Sequence, residues 1–394
     1  MRFCIEEEEI LRRQASIKEE IQKKDREVFL SFSPVTTFYL TGFHFIPTER
    51  PTALIIAGAG SSFLFVPRLE EEHARSALVD EIVTYPEYPG REHPMEHLAL
   101  ALQERGLSKK KFLAESEGYG SAMGYRGAPL GEIIPDLELQ VDPEPVEKMR
   151  MVKSPAEIEL IKESACWGNL AHYLLQEYCA PGKTENEVAM RASQEATLTM
   201  MKTLGPLYIP QGQAGAQAGF RGQIGENSAL PHAVNINAVM EKGHNLVTGA
   251  AAGVGGYTSE LERTMFLGNP SPQQRTYFGY MLEMMEAAFN AIRPGRPCAE
   301  VDQAVHEIYE KYEIWETWRH HTGHALGILG HEAPFFDIGD FTIMEPGMVF
   351  SVEPGIYLPG IGGFRHSDTV LVTEKGMELI TYYPRDLKDL IIPA

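Results

Sequence analysis

The chain has 394 residues, of which 43% are hydrophobic and 23% are charged, a balance typical of a soluble globular protein. Its length favours two domains over a single hydrophobic core. No apolar stretch approaches the roughly 20 residues that a membrane-spanning helix needs, and the acidic N-terminus lacks the apolar core of a secretory signal. The formal charge of −20 argues against nucleic acid as a partner, because phosphate binding requires a basic surface.

The four cysteines are scattered along the chain without the short spacing of a metal-binding or redox motif. We interpret them as small hydrophobic side chains rather than disulfides or ligands, and we therefore expect a cytoplasmic protein. The acidic charge indicates a generally acidic surface, with a cationic substrate as the alternative.

The first part of the chain alternates helical and strand patterns. In chain order, the predicted elements are a helix over Glu6–Lys24, strands over Val28–Phe32, Ala53–Ala57 and Ser62–Pro67, a helix over Glu70–Val79, a strand over Glu81–Tyr85, a helix over His97–Arg105 and a strand over Lys111–Ala114. The Gly58–Ser61 segment predicts a hairpin turn between the second and third strands. This alternation predicts an α/β domain with a partly parallel sheet.

A stiff segment, Asp142-Pro143-Glu144-Pro145, marks the domain boundary. Shortly after it, Ser154 and Pro155 have the residue types of an N-cap and a first helical turn. We predict an N-terminal domain over 1–145 and a C-terminal domain over 146–394.

The second domain combines long helices with strand-rich sections. The predicted helices lie at about 155–178, 184–202, 271–292 and 298–312, and the predicted strand-rich sections are Asn245–Thr248, Tyr257–Leu267, Met348–Tyr357 and Phe364–Val372. Helices on one face of a mainly antiparallel sheet form an α+β arrangement.

Two stretches near the C-terminus are rich in residues that bind metals or transfer protons. The first is His320-His321-Thr322-Gly323-His324 with His331-Glu332-Ala333-Pro334, and the second is Ser351-Val352-Glu353-Pro354-Gly355 with Gly363-Phe364-Arg365-His366-Ser367-Asp368. They resemble the signature of the pita-bread superfamily, which includes methionine aminopeptidase, aminopeptidase P, prolidase and creatinase. Phe38–Phe43 and the linker Met149–Ile158 extend the resemblance over essentially the whole chain. It implies a C-terminal pita-bread catalytic domain, a smaller creatinase-like N-terminal α/β domain, and a homodimer.

The resemblance also implies a metal-ligand set of two Asp, one His and two Glu. His324 and Glu353 occupy two of these positions, and Glu260 places a carboxylate on a longer arm at a third. Gly249 and Ser367 occupy the other two, where neither supplies a carboxylate, so we expect no two-metal centre. One divalent metal on Glu260, His324 and Glu353 stays an alternative, because one His with two carboxylates makes an acceptable open site.

A second pattern in the same region resembles creatinase, the metal-free member of the superfamily. Leu261-Glu262-Arg263-Thr264 places Glu262 where creatinase has a substrate-binding glutamate, although an ion pair with Arg263 or with a neighbouring strand is the structural alternative. His232 matches the position of a histidine that contacts the leaving group, and histidine both accepts and donates a proton near neutral pH.

These observations lead to the prediction of a metal-independent, creatinase-like hydrolase that cleaves a C–N bond in a small cationic or zwitterionic compound. The predicted catalytic residues are His232, Glu262 and Glu353, the predicted substrate-binding residues are His324, Glu260, Tyr257, His331 and Arg365, and no metal or other cofactor is expected. The first alternative is an Xaa-Pro dipeptidase or aminopeptidase P-like peptidase with a single metal, favoured by the peptidase-like His331–Pro334 segment. The second is a catalytically inactive binding homologue.

Overall fold

The structure is a computed structural model that describes residues 3–210 and 215–394. These residues divide into two compact units, one spanning Ile5–Arg150 and the other spanning Met151–Ala394 with Phe3 and Cys4. In the described part of the chain, no helix is both long and apolar enough to cross a membrane.

The N-terminal unit contains a six-stranded sheet with the order β4-β3-β2-β1-β5-β6. Its strands are β1 Val28–Ser31, β2 Ala53–Ala57, β3 Ser62–Pro67, β4 Glu81–Tyr85, β5 Lys111–Ala114 and β6 Glu138–Val141. Its helices are α1 Glu7–Lys23, α2 Pro34–Thr41, α3 Glu71–Ala74, α4 Pro94–Glu104, α5 Leu130–Ile133 and α6 Glu144–Met151. β3 pairs with β4, β1 with β5, and β5 with β6 in parallel, whereas β1, β2 and β3 pair antiparallel, so the sheet is partly parallel, as predicted.

Alternating side chains of β1 form the core of this unit. Val28 and Leu30 lie in one buried cluster with Leu98 and Leu102 of α4, because alternate residues of a strand point to the same face. The helix predicted over Glu70–Val79 is shorter than expected and ends as α3 at Ala74.

The C-terminal unit is built around an eight-stranded sheet in which all strand pairs are antiparallel. Its helices are α7 Pro155–Tyr178, α8 Glu185–Leu204, α9 Pro272–Ala291 and α10 Ala299–Lys311. Its strands are β7 Ala216–Gly219, β8 Asn245–Val247, β9 Gly249–Ala252, β10 Leu261–Glu262, β11 Thr264–Leu267, β12 Gly323–Ala325, β13 Glu332–Phe336, β14 Val349–Val352, β15 Gly355–Leu358, β16 Gly362–Arg365, β17 Ser367–Thr373, β18 Gly376–Leu379 and β19 Ile391–Ile392. The main sheet has the order β13-β12-β14-β17-β10-β9-β7, with β18 on β17. This is the predicted α+β arrangement.

The start of α7 follows the sequence prediction. Ser154 accepts a hydrogen bond from the backbone N–H of Glu157, whose side chain bonds back to Ser154, and Pro155 occupies the first turn. This capping box pairs backbone N–H groups that a helix N-terminus otherwise leaves without partners. α7 then packs against β7 and β9 and supports the sheet from one side.

Strand breaks divide three runs that the sequence predicts as continuous. The run over Tyr257–Leu267 breaks at Arg263, between β10 of the main sheet and β11 of a three-stranded sheet. Arg263 is fully buried, and its Nη2 lies 2.9 Å from Asp368 Oδ1. The other two runs break between β14 and β15, and between β16 and β17. Site residues lie at these breaks.

Candidate active site

The candidate active site lies on one face of the main sheet, where register brings distant motifs together. His324 in β12 pairs with Ser351 in β14, and Glu262 in β10 pairs with Ser367 in β17. Directly paired residues of antiparallel strands project to the same face. The two pairs meet because the hydroxyl oxygens of Ser351 and Ser367 are 2.7 Å apart, and both hydroxyls donate to Oε1 of Glu260.

Glu353 enters the site at the break after β14. Its backbone N–H donates to Thr322 O at 2.8 Å. This hydrogen bond directs the chain away from β14 and fixes the backbone position from which the Glu353 side chain extends. Glu353 Oε1 lies 3.1 Å from Nε2 of His324, and Glu260 Oε2 lies 4.0 Å from the same nitrogen. One imidazole nitrogen therefore faces two carboxylates.

The pKa values of this group follow from burial and from mutual charge. Burial and the charges of Glu353 and Glu262 raise the pKa of Glu260 to about 7. Burial lowers the pKa of His324, but Glu353 and Glu260 raise it more, to about 9. Burial raises the pKa of Glu353, but His324 and Arg365 lower it further, so that the net shift is downward. The carboxylates of Glu260 and Glu353 together therefore favour a cation bound between them.

Glu262 is bound by two guanidinium groups rather than facing an open pocket. Arg365 Nε donates to Glu262 Oε2, and Arg365 Nη2 donates to Oε1 at 2.8 Å. Arg221 Nη2 donates to the same Oε1 at 3.0 Å. Only 6% of the Glu262 side chain and 2% of the Arg365 side chain are exposed, so this ion pair is screened little by solvent. Glu262 and Arg365 therefore form a buried bidentate ion pair, which Arg221 extends at the edge of the cleft.

Arg365 also connects the carboxylates to a buried tyrosine and a histidine. Its Nη1 donates to Tyr357 Oη at 2.9 Å, and its Nε lies 3.7 Å from Glu353 Oε2. Tyr357 Oη lies 2.7 Å from His320 Nε2, and burial lowers the pKa of His320. Burial raises the pKa of Tyr357 to about 12, so its hydroxyl stays protonated at neutral pH. Arg365 is thereby fixed at the back of the cluster.

Two further histidines lie toward solvent. The ring of His331 stacks on that of His324, with centroids 3.6 Å apart, and His331 is itself exposed. Burial and the charge of His324 lower the pKa of His331. His232 is also exposed, and the carbonyl oxygen of the preceding residue, Pro231, lies 3.4 Å from Arg365 Nη1. His331 therefore lies at the solvent side of His324, and the segment that carries His232 contacts the cluster through Arg365.

Tyr257 differs from the other predicted site residues in its surroundings. It is buried, and its hydroxyl donates to Glu157 Oε1 in α7 at 2.8 Å. This contact ties Tyr257 to the helix that supports the sheet.

Sequence reasoning did not identify Arg221, Ser351, His320 or Tyr357 as site residues. Ser351 and His320 lie within the quoted histidine and Glu-Pro-Gly motifs, and Tyr357 lies two residues after the second, so their closeness to these motifs was the available signal. Arg221 lies in a glycine-rich segment that offers no comparable signal.

A cleft of about 650 Å³ adjoins the cluster. Its wall includes Arg221, Glu260 and Glu262, together with the small residues Gly219, Gly249 and Ala250. A Cβ atom on Gly249 would have Glu262 Oε1 as its nearest neighbour, at 3.6 Å. The missing side chain at Gly249 therefore leaves room in front of Glu262.

The donor set fits one divalent cation. His324 Nδ1 lies 3.1 Å from Ala325 O, which suits donation to that carbonyl and leaves Nε2 as the ligand atom. Nε2 is buried and has no well-aligned hydrogen-bond partner among the described residues, although Glu353 Oε1 is close. One ligand atom from each of Glu260, His324 and His331 lies within 4.8 Å of the others, as does one from each of Glu260, Glu262 and Glu353. Imidazole and carboxylate together suit Mn²⁺, Zn²⁺ or a similar ion.

The sequence matches two family profiles. The profile of metallopeptidase family M24 matches residues 159–374, and that of the creatinase/prolidase N-terminal domain matches residues 13–152. These matches confirm the resemblance to the pita-bread superfamily and the predicted fold, a pita-bread domain preceded by a creatinase-like domain.

Similar proteins are described as peptidases. A Bacillus subtilis protein named "Putative dipeptidase YkvY" is 30% identical over 354 residues, covering 89% of this chain and 92% of that protein. The structure of dipeptidase PepE from Mycobacterium ulcerans has a TM-score of 0.81 at 25% identity and covers 98% of both chains. An Xaa-Pro dipeptidase from Bacillus anthracis has a TM-score of 0.79 at 26% identity and covers 98% of this chain and 100% of that one.

Two predictions are corrected by these findings, and one is confirmed. The prediction of a metal-independent, creatinase-like hydrolase is wrong, since the matches are to peptidases and favour the peptidase alternative. The expectation of no metal is also wrong, because the matching family is one of metallopeptidases and the donor cluster fits an ion. Physically, the positive charge that the prediction assigned to a substrate bound at Glu262 is supplied by Arg365. The prediction of a hydrolase acting on C–N bonds is confirmed.

Proposed function

The chain belongs to metallopeptidase family M24, and from this membership we propose that it is a peptidase that hydrolyses Xaa-Pro dipeptides. One divalent ion, held by Glu260, His324 and Glu353, is part of the proposal. The observation that carries it is the buried Nε2 of His324, which faces Glu353 at 3.1 Å and Glu260 at 4.0 Å without an aligned hydrogen-bond partner among the described residues.

A single ion rather than two is supported by the residues around this point. Gly249 has no ligand atom, and the hydroxyl of Ser367 donates to Glu260. Arg365 lies between Glu262 and Glu353, where its positive charge already neutralises Glu262. A second cation beside the guanidinium would be repelled at this distance.

The residues of the chain have distinct roles in the proposed reaction. A divalent ion at this site supplies a Lewis acid that polarises the scissile carbonyl. Ser351 and Ser367 hold Oε1 of Glu260, so the other oxygen keeps a fixed direction toward His324. We assign His232 the transfer of a proton to the leaving nitrogen, because it is exposed and directly follows Pro231, whose carbonyl oxygen lies 3.4 Å from Arg365 Nη1 of the cluster.

The choice of Xaa-Pro substrates is supported by the similar structures, among them the Xaa-Pro dipeptidase from Bacillus anthracis, with which the chain shares 26% identity. The cleft of about 650 Å³ is large enough for a dipeptide and falls within the usual range for small-ligand sites. Glycine and alanine residues along its wall leave space for the ring of a substrate proline.

The test is hydrolysis of Gly-Pro, Ala-Pro and Leu-Pro by protein that has been treated with a chelator and then supplied with Mn²⁺, Co²⁺ or Zn²⁺. The matched substrates Gly-Ala, Ala-Ala and Leu-Ala report on the requirement for proline. We expect hydrolysis of the proline series after metal addition. Absence of hydrolysis with every ion would refute the function.

Cytoplasmic location and a homodimer extend the proposal. Cys166, Cys179 and Cys298 are free thiols, which suits a reducing compartment. Met190 on α8 is 72% exposed, and Val234 and Ile236 are 74% and 60% exposed on a segment that α8 contacts through Asn186 and Asn235. Exposed apolar groups of this kind are common at subunit interfaces. Light scattering during gel filtration tests the dimer.

A further inference from the structure

A buried aspartate on α10 connects the two ends of the hairpin that carries His324. Asp302 is 1% exposed. Its Oδ1 accepts hydrogen bonds from the Thr322 N–H at 3.0 Å and from the Thr322 hydroxyl at 2.7 Å, and its Oδ2 accepts one from the Ile338 N–H at 3.0 Å. Thr322 directly precedes β12, and Ile338 follows shortly after β13 ends at Phe336. One carboxylate therefore holds both ends of the β12–β13 hairpin.

The partners of Asp302 are backbone and hydroxyl donors rather than a lysine or an arginine. Among the residues that the structure describes, the one basic side chain beside the carboxylate is His306, whose Nε2 lies 3.4 Å from Oδ2 without an aligned hydrogen bond. A buried carboxylate is costly unless it is hydrogen-bonded, and here the hydrogen-bond donors belong to the ends of the hairpin. A carboxamide has a single acceptor oxygen, so asparagine could not serve both ends in the same way.

Thr322 connects Asp302 to both proposed metal ligands. Its carbonyl oxygen accepts the Glu353 N–H at 2.8 Å, and His324 lies two positions after it in β12. A Cβ atom on Gly323, the residue between them, would lie 2.1 Å from Ser351 O. Because β12 approaches β14 this closely, the two strands cannot shift independently. The position of Thr322 therefore determines where the side chains of His324 and Glu353 begin.

The proposed ligands tolerate little displacement. His324 Nε2 and Glu353 Oε1 are 3.1 Å apart, and bonds from a metal to imidazole or carboxylate are about 2.0–2.2 Å long. Functional sites require their side chains to be held within about 0.5 Å of the productive geometry. A small shift of Thr322 is therefore enough to weaken the site.

We propose that Asp302 is a positioning residue for the metal site, which acts through Thr322 to set the separation of His324 and Glu353 and thereby the affinity for the divalent ion. This proposal rests on the single-ion site of the proposed function and adds a residue that does not contact the ion. Hydrogen-bonded groups behind metal ligands contribute about 10- to 100-fold to metal affinity.

The experiment compares Mn²⁺ binding by chelator-treated wild type, T322V, T322S and D302N in calorimetric titrations. Valine keeps the shape of threonine without the hydroxyl that donates to Asp302, whereas serine keeps that hydroxyl. We expect T322V and D302N to raise the Kd for Mn²⁺ by about 10-fold or more, while T322S stays close to wild type. T317V is the matched control, because Thr317 is equally buried and its hydroxyl donates to Ile314 O at 2.8 Å, outside this network.

Two further measurements separate positioning from a loss of stability. Urea denaturation of the metal-free proteins compares T322V with T317V, and the visible absorption of bound Co²⁺ reports the geometry of its ligands. An altered Co²⁺ spectrum and weaker Mn²⁺ binding in T322V, with T317V like wild type in both, support the proposal even where the two variants lose the same stability.

Equal Mn²⁺ affinity and equal Co²⁺ spectra in T322V, T317V and wild type would overturn the role of Asp302. Wild-type protein that binds neither ion would overturn it together with the single-ion site. Normal metal binding by wild type without hydrolysis of any peptide contradicts the proposed peptidase activity alone, and the role of Asp302 is then decided by the binding data.

Discussion

Glu262 and Arg365 form a bidentate ion pair inside the site. Arg365 Nη2 lies 2.8 Å from Glu262 Oε1, and Arg365 Nε donates to Glu262 Oε2. The partners lie 103 positions apart in the chain. Removing one member of a buried pair leaves the other charge without its partner, which is more costly than the pair itself is stabilising. We expect E262Q to lower the free energy of unfolding by about 3 kcal/mol in urea denaturation.

The matched control for E262Q is E300Q, which breaks the exposed pair between Glu300 of α10 and Arg296, a residue that precedes this helix. Exposed pairs contribute about 0–1 kcal/mol, so this variant should unfold close to wild type. The double variant E262M/R365M should recover part of the stability, because no buried charge is then left alone. An E262Q variant as stable as the control would contradict the pairing.

His324 and Glu353 are expected to be necessary for metal binding. H324A and E353Q should each reduce the metal content after dialysis against Mn²⁺ to well below that of wild type, because each removes a ligand atom from the cluster. H97A, in the N-terminal unit, is the control and should bind normally. Inductively coupled plasma mass spectrometry measures the content, and full metal content in H324A would count against the assigned ligands.

The stability of the chelated protein should fall as pH rises above about 7. The folded-state pKa of His324 is raised from 6.5 to about 9, so its contribution is fully present below about 6.5 and is lost as pH rises through about 9. Below about pH 7 the raised pKa of Glu260 acts in the same direction, whereas the lowered pKa values of His172, His320, His331 and His366 act in the opposite direction. Denaturant titrations between pH 5 and pH 9, with about one-unit spacing, measure this trend.

The control for the pH trend is H324Q, whose stability should be flatter above neutral pH because the titrating imidazole is gone. Saturating Mn²⁺ should oppose the loss in wild type, since the ion competes with the proton at His324. A chelated wild-type protein that gains stability from pH 7 to pH 9 would contradict the environment described for His324.

Proton transfer by His232 predicts a change in kcat. H232A should lower kcat on Ala-Pro by about 10²- to 10⁴-fold, the usual contribution of a general acid, with metal content unchanged. The structure gives His232 no ligand position in the cluster, which is why metal content and turnover should separate. Stopped assays combined with metal analysis of the same sample test this, and an unaltered kcat would exclude the assigned role.

Much of the fold could be predicted from sequence because local patterns decide it. The strand limits Ala53–Ala57, Ser62–Pro67 and Glu81–Tyr85 and the Ser154 cap agree with the structure. The break at Arg263 was not predicted, since nothing in the residues of the run Tyr257–Leu267 indicates that the strand changes sheets. Buried Arg263 contacts Asp368 and several carbonyl oxygens, and these contacts depend on the tertiary structure.

The candidate site was predictable only in part. The motifs around His324 and Glu353 indicated that these residues converge with Glu260, and the structure brings them together. The sequence offered Arg263 or a residue of a neighbouring strand as a partner for Glu262, without naming Arg365, which the structure shows in that position. Arg365 reaches Glu262 through the pairing of β10 with β17, a register that a single sequence does not specify.

The most direct test of the account is a titration of chelator-treated protein with Mn²⁺ while hydrolysis of Ala-Pro and bound metal are measured together. With a single-metal site, we expect activity to rise in proportion to bound metal and to reach its plateau at one ion per chain. Full activity without bound metal, or a plateau that requires two ions per chain, would contradict a single-metal site at Glu260, His324 and Glu353.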